Sequence, residues 1–287
     1  MARLYQYPFT LKNIKVGDHC LSCVDEGRGP AVVMVHGNPS WSYLYRNVIS
    51  GLYDRYRMIA PDHLGCGLSD KPPDYTYRLA NHVDNLESVL DQLQVERCVL
   101  MVHDWGGAIG MGWAVRHPER IAGLVVLNSA AFASSRLPLR IAICRWPLLG
   151  ALLVRGLNGF AGAATVMAVH RPMAEPILHG FLHPYGSWRD RIAIHRFIED
   201  IPMHSAHPSW NTLHRIETGL YRLREKPMLL LWGGMDFCFT RLFFEEWWRR
   251  FPRARGIFCE DAGHYVLEDV LPEALPRIAD FVERCYG

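Results

Sequence analysis

Four short runs, residues 31–35, 98–102, 121–127 and 227–232, are apolar almost throughout and recur between stretches of helical spacing. A half-exposed strand alternates apolar and polar residues. A strand apolar along its whole length needs both faces covered, as in a parallel sheet packed between helices. Helical spacing appears at 41–52, and Leu79, Val83, Leu86, Val89, Leu90 and Leu93 share one helix face. Residues 9–14 and 19–25 read as an antiparallel hairpin around Gly17-Asp18. A further strand is expected at 56–60 and the last at 255–259, followed by a helix over 272–286. The alternation predicts an α/β fold with a mostly parallel, doubly wound sheet flanked by helices. Between 133 and 217 it stops: apolar helical stretches continue, but no strand is evident. The chain therefore divides into a core, 1–132 and 218–287, and a helical cap insertion, 133–217. Open α/β sheets place their sites beyond the C-terminal strand ends, where such a cap excludes water.

A length of 287 residues suits one large domain with an insertion, and 49% hydrophobic with 21% charged residues suits a globular chain. The formal charge of +2 argues against a nucleic-acid partner. No uninterrupted apolar run reaches the ~18 residues of a membrane span; the nearest is broken by Arg155. Met1-Ala2-Arg3-Leu4 leads into polar and aromatic residues rather than a secretory leader. With eight irregularly spaced cysteines, this predicts reduced thiols and a cytoplasmic protein. Cys20 and Cys23 form a C-x-x-C on an expected strand with no second ligand pair nearby, and read as packing thiols.

The chemistry concentrates at strand ends. Val102-His103-Asp104-Trp105-Gly106-Gly107 has the form of a nucleophile elbow, a sharp strand-to-helix turn that needs small residues behind the nucleophile. Where an esterase carries serine, this chain carries Asp104. A carboxylate is itself a nucleophile and forms a covalent ester; taken alone, Asp104 could equally cap the following helix. His36-Gly37-Asn38-Pro39 follows an earlier strand, so the Asn38 N–H would join that of Trp105 in an oxyanion hole. Asp261-Ala262-Gly263-His264 follows the last strand and supplies the general base, His264, in the chain order nucleophile, acid, base. The acid has two places. One holds Asn128, which carries no charge; the other offers Gly233-Gly234-Met235-Asp236, which selects Asp236. The loop Pro61 to Asp70, with two glycines and a serine, is assigned structural work.

These motifs resemble the haloalkane dehalogenases of the α/β-hydrolase superfamily, and an acid at Asp236 with Asn38 and Trp105 resembles their third subfamily. The resemblance implies an α/β-hydrolase fold, a catalytic Asp104, His264 and Asp236, halide held by the side-chain N–H groups of Asn38 and Trp105, and no cofactor or metal. The chain also resembles the β-lactone decarboxylases of olefin biosynthesis, through Asn128-Ser129-Ala130-Ala131-Phe132, 197–202 and 264–269. Both chemistries expel an anion that needs no proton, a halide or a carboxylate, so one donor pair serves either. The first expectation is dehalogenation of a small apolar halogenated substrate through an Asp104 ester; the alternative is decarboxylation of a cis-β-lactone. Epoxide hydrolysis stands third, because its alkoxide needs acidic donors, usually paired cap tyrosines, and 133–219 holds one, Tyr185. A binding protein on a hydrolase shell would be expected to lack a triad member, and none is missing.

Residues 133–173 contain Arg136, Arg140, Arg145, Arg155 and Arg171 and no Asp or Glu. This reads either as a cap with solvated arginines or as a surface for self-association, a partner enzyme or an anionic membrane. Trp146, Phe160, Met167, Phe181, Trp188 and Phe197 are core or pocket residues.

Overall fold

The computed structural model describes residues 4–287; Met1-Ala2-Arg3 of the leader reading lie outside the described residues. One eight-stranded sheet runs in the order β1-β2-β4-β3-β5-β6-β7-β8. Its strands are β1 (Leu11–Val16), β2 (His19–Glu26), β3 (Ala31–Val35), β4 (Arg57–Pro61), β5 (Cys98–Asp104), β6 (Ile121–Ser129), β7 (Met228–Gly233) and β8 (Arg255–Cys259). β1 and β2 form the antiparallel hairpin and β2 joins β4 antiparallel; every other pairing is parallel. All residues of β3, β6 and β7 are buried, as runs apolar on both faces require.

Helices α1 (Arg46–Leu52), α2 (Leu79–Gln92) and α3 (Trp105–Arg116) follow β3, β4 and β5. The expected helix over 41–52 is shorter. Trp41 is extended, its indole N–H donating to the Gly180 carbonyl, and a 3-10 turn Ser42–Tyr45 precedes α1. Asp62 explains where that turn begins, since its Oδ1 accepts the Ser42 N–H at 2.8 Å.

Between β6 and β7 the chain is helical: α4 (Leu139–Ile143), α5 (Leu149–Ala151), a π-helical turn Leu152–Gly156, α6 (Gly159–Met167), α7 (Glu175–Leu182), α8 (Ile192–Glu199) and α9 (Trp210–Gly219). Of these, α9 packs against α2 and α3 of the sheet layer. Helices α10 (Arg241–Arg250), α11 (Val266–Asp269) and α12 (Leu271–Tyr286) complete the fold. Cys20 and Cys23 stand an odd number of residues apart on β2, hence on opposite faces; one is exposed and the other buried.

The strand order reverses between β3 and β5: β4 lies outward of β3 on one side, and β6 outward of β5 on the other. A crevice opens at such a switch point, beyond the C-terminal ends of the two strands. Gly37-Asn38 leaves β3 there, and Asp104 ends β5.

Candidate active site

Asp104 ends β5 with φ 52° and ψ −126° and passes directly into α3. That left-handed φ is strained for a non-glycine residue and lifts the side chain out of the sheet's hydrogen bonding. Two contacts fix the elbow. Ser129 Oγ, at the end of β6, donates to the Asp104 carbonyl at 2.5 Å. A Cβ on Gly106 would strike the Val35 backbone carbonyl, so only glycine lets α3 cross so close to β3.

The Asn38 N–H donates to Asp104 Oδ1 at 2.6 Å, and the Trp105 N–H also supports the carboxylate. The expected oxyanion hole is therefore occupied by the carboxylate's own oxygen. Oδ2 is left facing His264 Nε2 at 3.8 Å, too long for a hydrogen bond. Burial is the largest influence on Asp104 and raises its pKa; the His264 charge and the two backbone N–H groups oppose it. A carboxylate stripped of water but held on one oxygen is a stronger nucleophile than a hydrated one.

His264 Nδ1 lies 2.7 Å from Asp236 Oδ2. Burial works against the imidazolium, yet the Asp236 charge and hydrogen bond, with Asp104 behind them, outweigh it and raise the His264 pKa. Asp236 is also fully buried, which disfavours its charge. The His264 charge and hydrogen bond, then the N–H groups of Cys238 and Phe239, hold its pKa below the ordinary value all the same. The structure thus brings Asp104, His264 and Asp236 from the ends of three strands into one line.

Several supporting residues escaped the sequence reading. Asn128, passed over as an uncharged place for the acid and given no role of its own, donates from Nδ2 to Asp236 Oδ2 and to the Gly233 carbonyl, both at 3.0 Å. Its Oδ1 accepts the Gly233 N–H at 2.8 Å. Phe239 stacks on the His264 ring at 5.7 Å and 16°. Asp269 accepts the N–H groups of Gly263, His170 and Arg171, tying the His264 loop to the segment after α6. No spacing rule flags these residues, because their partners lie up to 108 positions away. The loop assigned structural work does it: Ser69 Oγ donates to the Asp62 carbonyl, and the His63 N–H donates to His36 Nε2.

Two apolar cavities meet at this site. The first, partly open to solvent, is lined by Asn38, Asp104 and Trp105 with Leu79, Phe132, Ile198, Leu213 and Phe243 among others. The second is lined by Asn38, Asp104 and His264 with Leu153, Ala163, Ala164, Met167 and Phe237 among others. Phe160 and Ile141 border both. The Asn38 amide spends one N–H on the Ile194 carbonyl at 3.1 Å, leaving its second hydrogen free. The indoles of Trp41, Trp232 and Trp247 donate to backbone carbonyls, whereas that of Trp105 finds no acceptor among the described residues.

Of the aromatic and sulfur side chains singled out in the sequence, Phe160 and Met167 line the cavities. Phe181 and Phe197 are core, and Trp146 and Trp188 are exposed. Tyr185 is buried with its hydroxyl against the Gly67 N–H and the Ser40 carbonyl. It lines neither cavity, which removes the donor an epoxide would need.

A family model of the α/β-hydrolase fold matches residues 30–162. The chain is 44% identical to a cis-3-alkyl-4-alkyloxetan-2-one decarboxylase of Shewanella oneidensis, over 96% of this chain and 89% of that protein. It is 40% identical to a haloalkane dehalogenase of Sphingobium indicum, over 95% of each. The crystal structure of an ancestral haloalkane dehalogenase superposes with a TM-score of 0.87 at 27% identity, covering 96% of this chain and 99% of that one.

Proposed function

The chain belongs to the α/β-hydrolase family shared by the cis-3-alkyl-4-alkyloxetan-2-one decarboxylases and the haloalkane dehalogenases, and from that membership we propose that it converts a cis-3,4-dialkyl β-lactone to an alkene and carbon dioxide. The observation that carries the reading is the pair of apolar cavities meeting at Asp104. A 3,4-dialkyl oxetan-2-one bears two chains on adjacent ring carbons, and two arms diverging from one nucleophile match that shape. A simple haloalkane uses only one. The order of preference between the two chemistries is thereby the reverse of the one drawn from the halide-pair residues alone, because those residues stabilise either leaving anion.

In the proposed course, Asp104 Oδ2 attacks C4, the carbon bearing the ring oxygen. The C4–O bond breaks with inversion, and the ring oxygen becomes part of a carboxylate on C3. The Trp105 indole N–H and the free Asn38 amide N–H stabilise that anion. The C3–carboxylate bond then breaks. Its electrons form the double bond as the C4–O bond to Asp104 breaks and the Asp104 carboxylate leaves. One inversion followed by an anti elimination carries the cis relation into a cis alkene. No water enters and no proton is transferred. The backbone N–H groups on the Asp104 carboxylate and an imidazolium at His264, oriented by Asp236, favour departure of Asp104 as an anion.

Dehalogenation is the second reading, favoured by the two donors left free at Asn38 and Trp105. There Asp104 displaces halide, and neutral His264 deprotonates the water that hydrolyses the ester.

The test is alkene release from a cis-3,4-dialkyl β-lactone, run beside halide release from short and long bromoalkanes, with Asp104→Ala as control. Alkene formed by the wild type and lost in the variant is expected. Halide release without alkene would overturn the first reading in favour of the second.

A further inference from the structure

Fifteen large apolar side chains are exposed among the described residues, and eight of them fall between Leu139 and Met167. The most exposed of these eight are Leu148 at 87%, Leu139 at 75%, Val166 at 72% and Leu157 at 69%. So dense a cluster exceeds the single apolar residues that ordinary surfaces scatter. It lies on α4, α5, the π turn and α6 and on the short connections between them. Within it Leu149–Gly156 and Gly159–Met167 form an apolar pair bent by 65°. Neither limb spans a bilayer, since helices this short reach about 12–14 Å against a hydrocarbon core of ~30 Å. They are suited to lying in an interface.

The charge around the cluster points to one kind of partner. Residues 133–173 carry five arginines and no acid, while the whole chain is only +2, so the remainder is net negative. A second copy meeting this patch about a two-fold axis would set arginines against arginines. An anionic lipid surface attracts the arginines and repels the rest of the molecule, which fixes an orientation. Behind the same helices, Leu153, Ala163, Ala164 and Met167 line the second cavity, which reaches Asp104 and His264.

We propose that the bent helix pair, within the arginine-bearing, acid-free segment 133–173, docks on an anionic lipid surface, setting the second cavity directly behind the lipid-facing helices. A water-insoluble dialkyl substrate then enters from the acyl chains. That entry route rests on the reading under "Proposed function", whereas docking does not.

Co-sedimentation with phosphatidylglycerol/phosphatidylcholine vesicles tests docking. The wild type is expected to pellet with anionic vesicles at low salt, and much less with pure phosphatidylcholine or at high salt. The triple variant Leu148→Glu, Leu157→Glu, Val166→Glu, altered only at exposed positions outside both cavities, is expected to lose roughly tenfold or more of that binding. A second readout needs no loss of binding: doxyl-labelled lipid should quench Trp146, which is 60% exposed, and Trp146→Phe should remove that quenching. Equal pelleting by wild type and triple variant overturns the proposal. So does failure of the wild type to bind at low salt, or a salt-independent oligomer that the triple variant disrupts. Bound enzyme that releases no alkene would count against the lactone reading alone.

Discussion

Asn128→Ala removes a side chain that touches no substrate cavity yet joins β6, β7 and Asp236. Its bond to the buried, ionised Asp236 is charge-assisted and worth about 1.5–3 kcal/mol. The two bonds to Gly233 are neutral, at about 1 kcal/mol each, and the Gly233 N–H stranded by the truncation adds desolvation. Asn128 also has a φ of 26°, on the side of backbone space that Asn tolerates better than Ala. The expected loss is roughly 4 kcal/mol. At about 2–4 °C per kcal/mol for large domains, the melting temperature should fall by roughly 8–16 °C. Losing a donor also destabilises the Asp236 carboxylate and raises its pKa; the more basic carboxylate holds the imidazolium more tightly, so the pH limb set by His264 should shift to higher pH. Urea unfolding gives the stability and a pH–rate profile gives the shift. Asn128→Asp, which places a second carboxylate against Asp236, should be worse still at neutral pH and recover partly on acidification. A loss under about 1 kcal/mol with an unmoved profile would refute the positioning role.

Trp105→Phe, which keeps the ring but removes the free indole N–H, should slow ring opening by about 10²-fold in a single-turnover assay. Decarboxylation transfers no proton, so its rate should hold or rise as pH falls through the raised His264 pKa. Dehalogenation needs neutral His264 and should fall there; a pH–rate profile separates the two. Ala164→Phe, at a position lining only the second cavity, should raise KM roughly tenfold for a lactone with two long arms and spare one whose second arm is methyl. Burial pushes His63 down to about 4 and His103 to about 3, so the fold prefers both rings neutral. Their contribution is whole above about pH 6.5 and is lost as pH falls towards those values, which denaturant titrations at stepped pH would detect.

Sheet and elbow were legible because their signals are local. Strands buried on both faces are apolar at nearly every position, and a nucleophile elbow needs its glycines within three residues of Asp104. Chain order was enough to pick His264 from fourteen histidines, and side-chain charge to pick Asp236 over Asn128. What the sequence left open depends on which strands become neighbours. Asn128 bonds Asp236 only because β6 lies beside β7. The Asn38 N–H reaches Asp104 Oδ1 only because the sheet reverses direction between β3 and β5. Cavity shape is still less local. Residues as distant as Leu79 and Phe243 face one void, and Pro39 and Met167 the other. Apolar lining residues obey the same burial rule as core residues, so hydrophobicity marks both alike. Only the packing of the helices between β6 and β7 over the strand ends decides which of them face empty space.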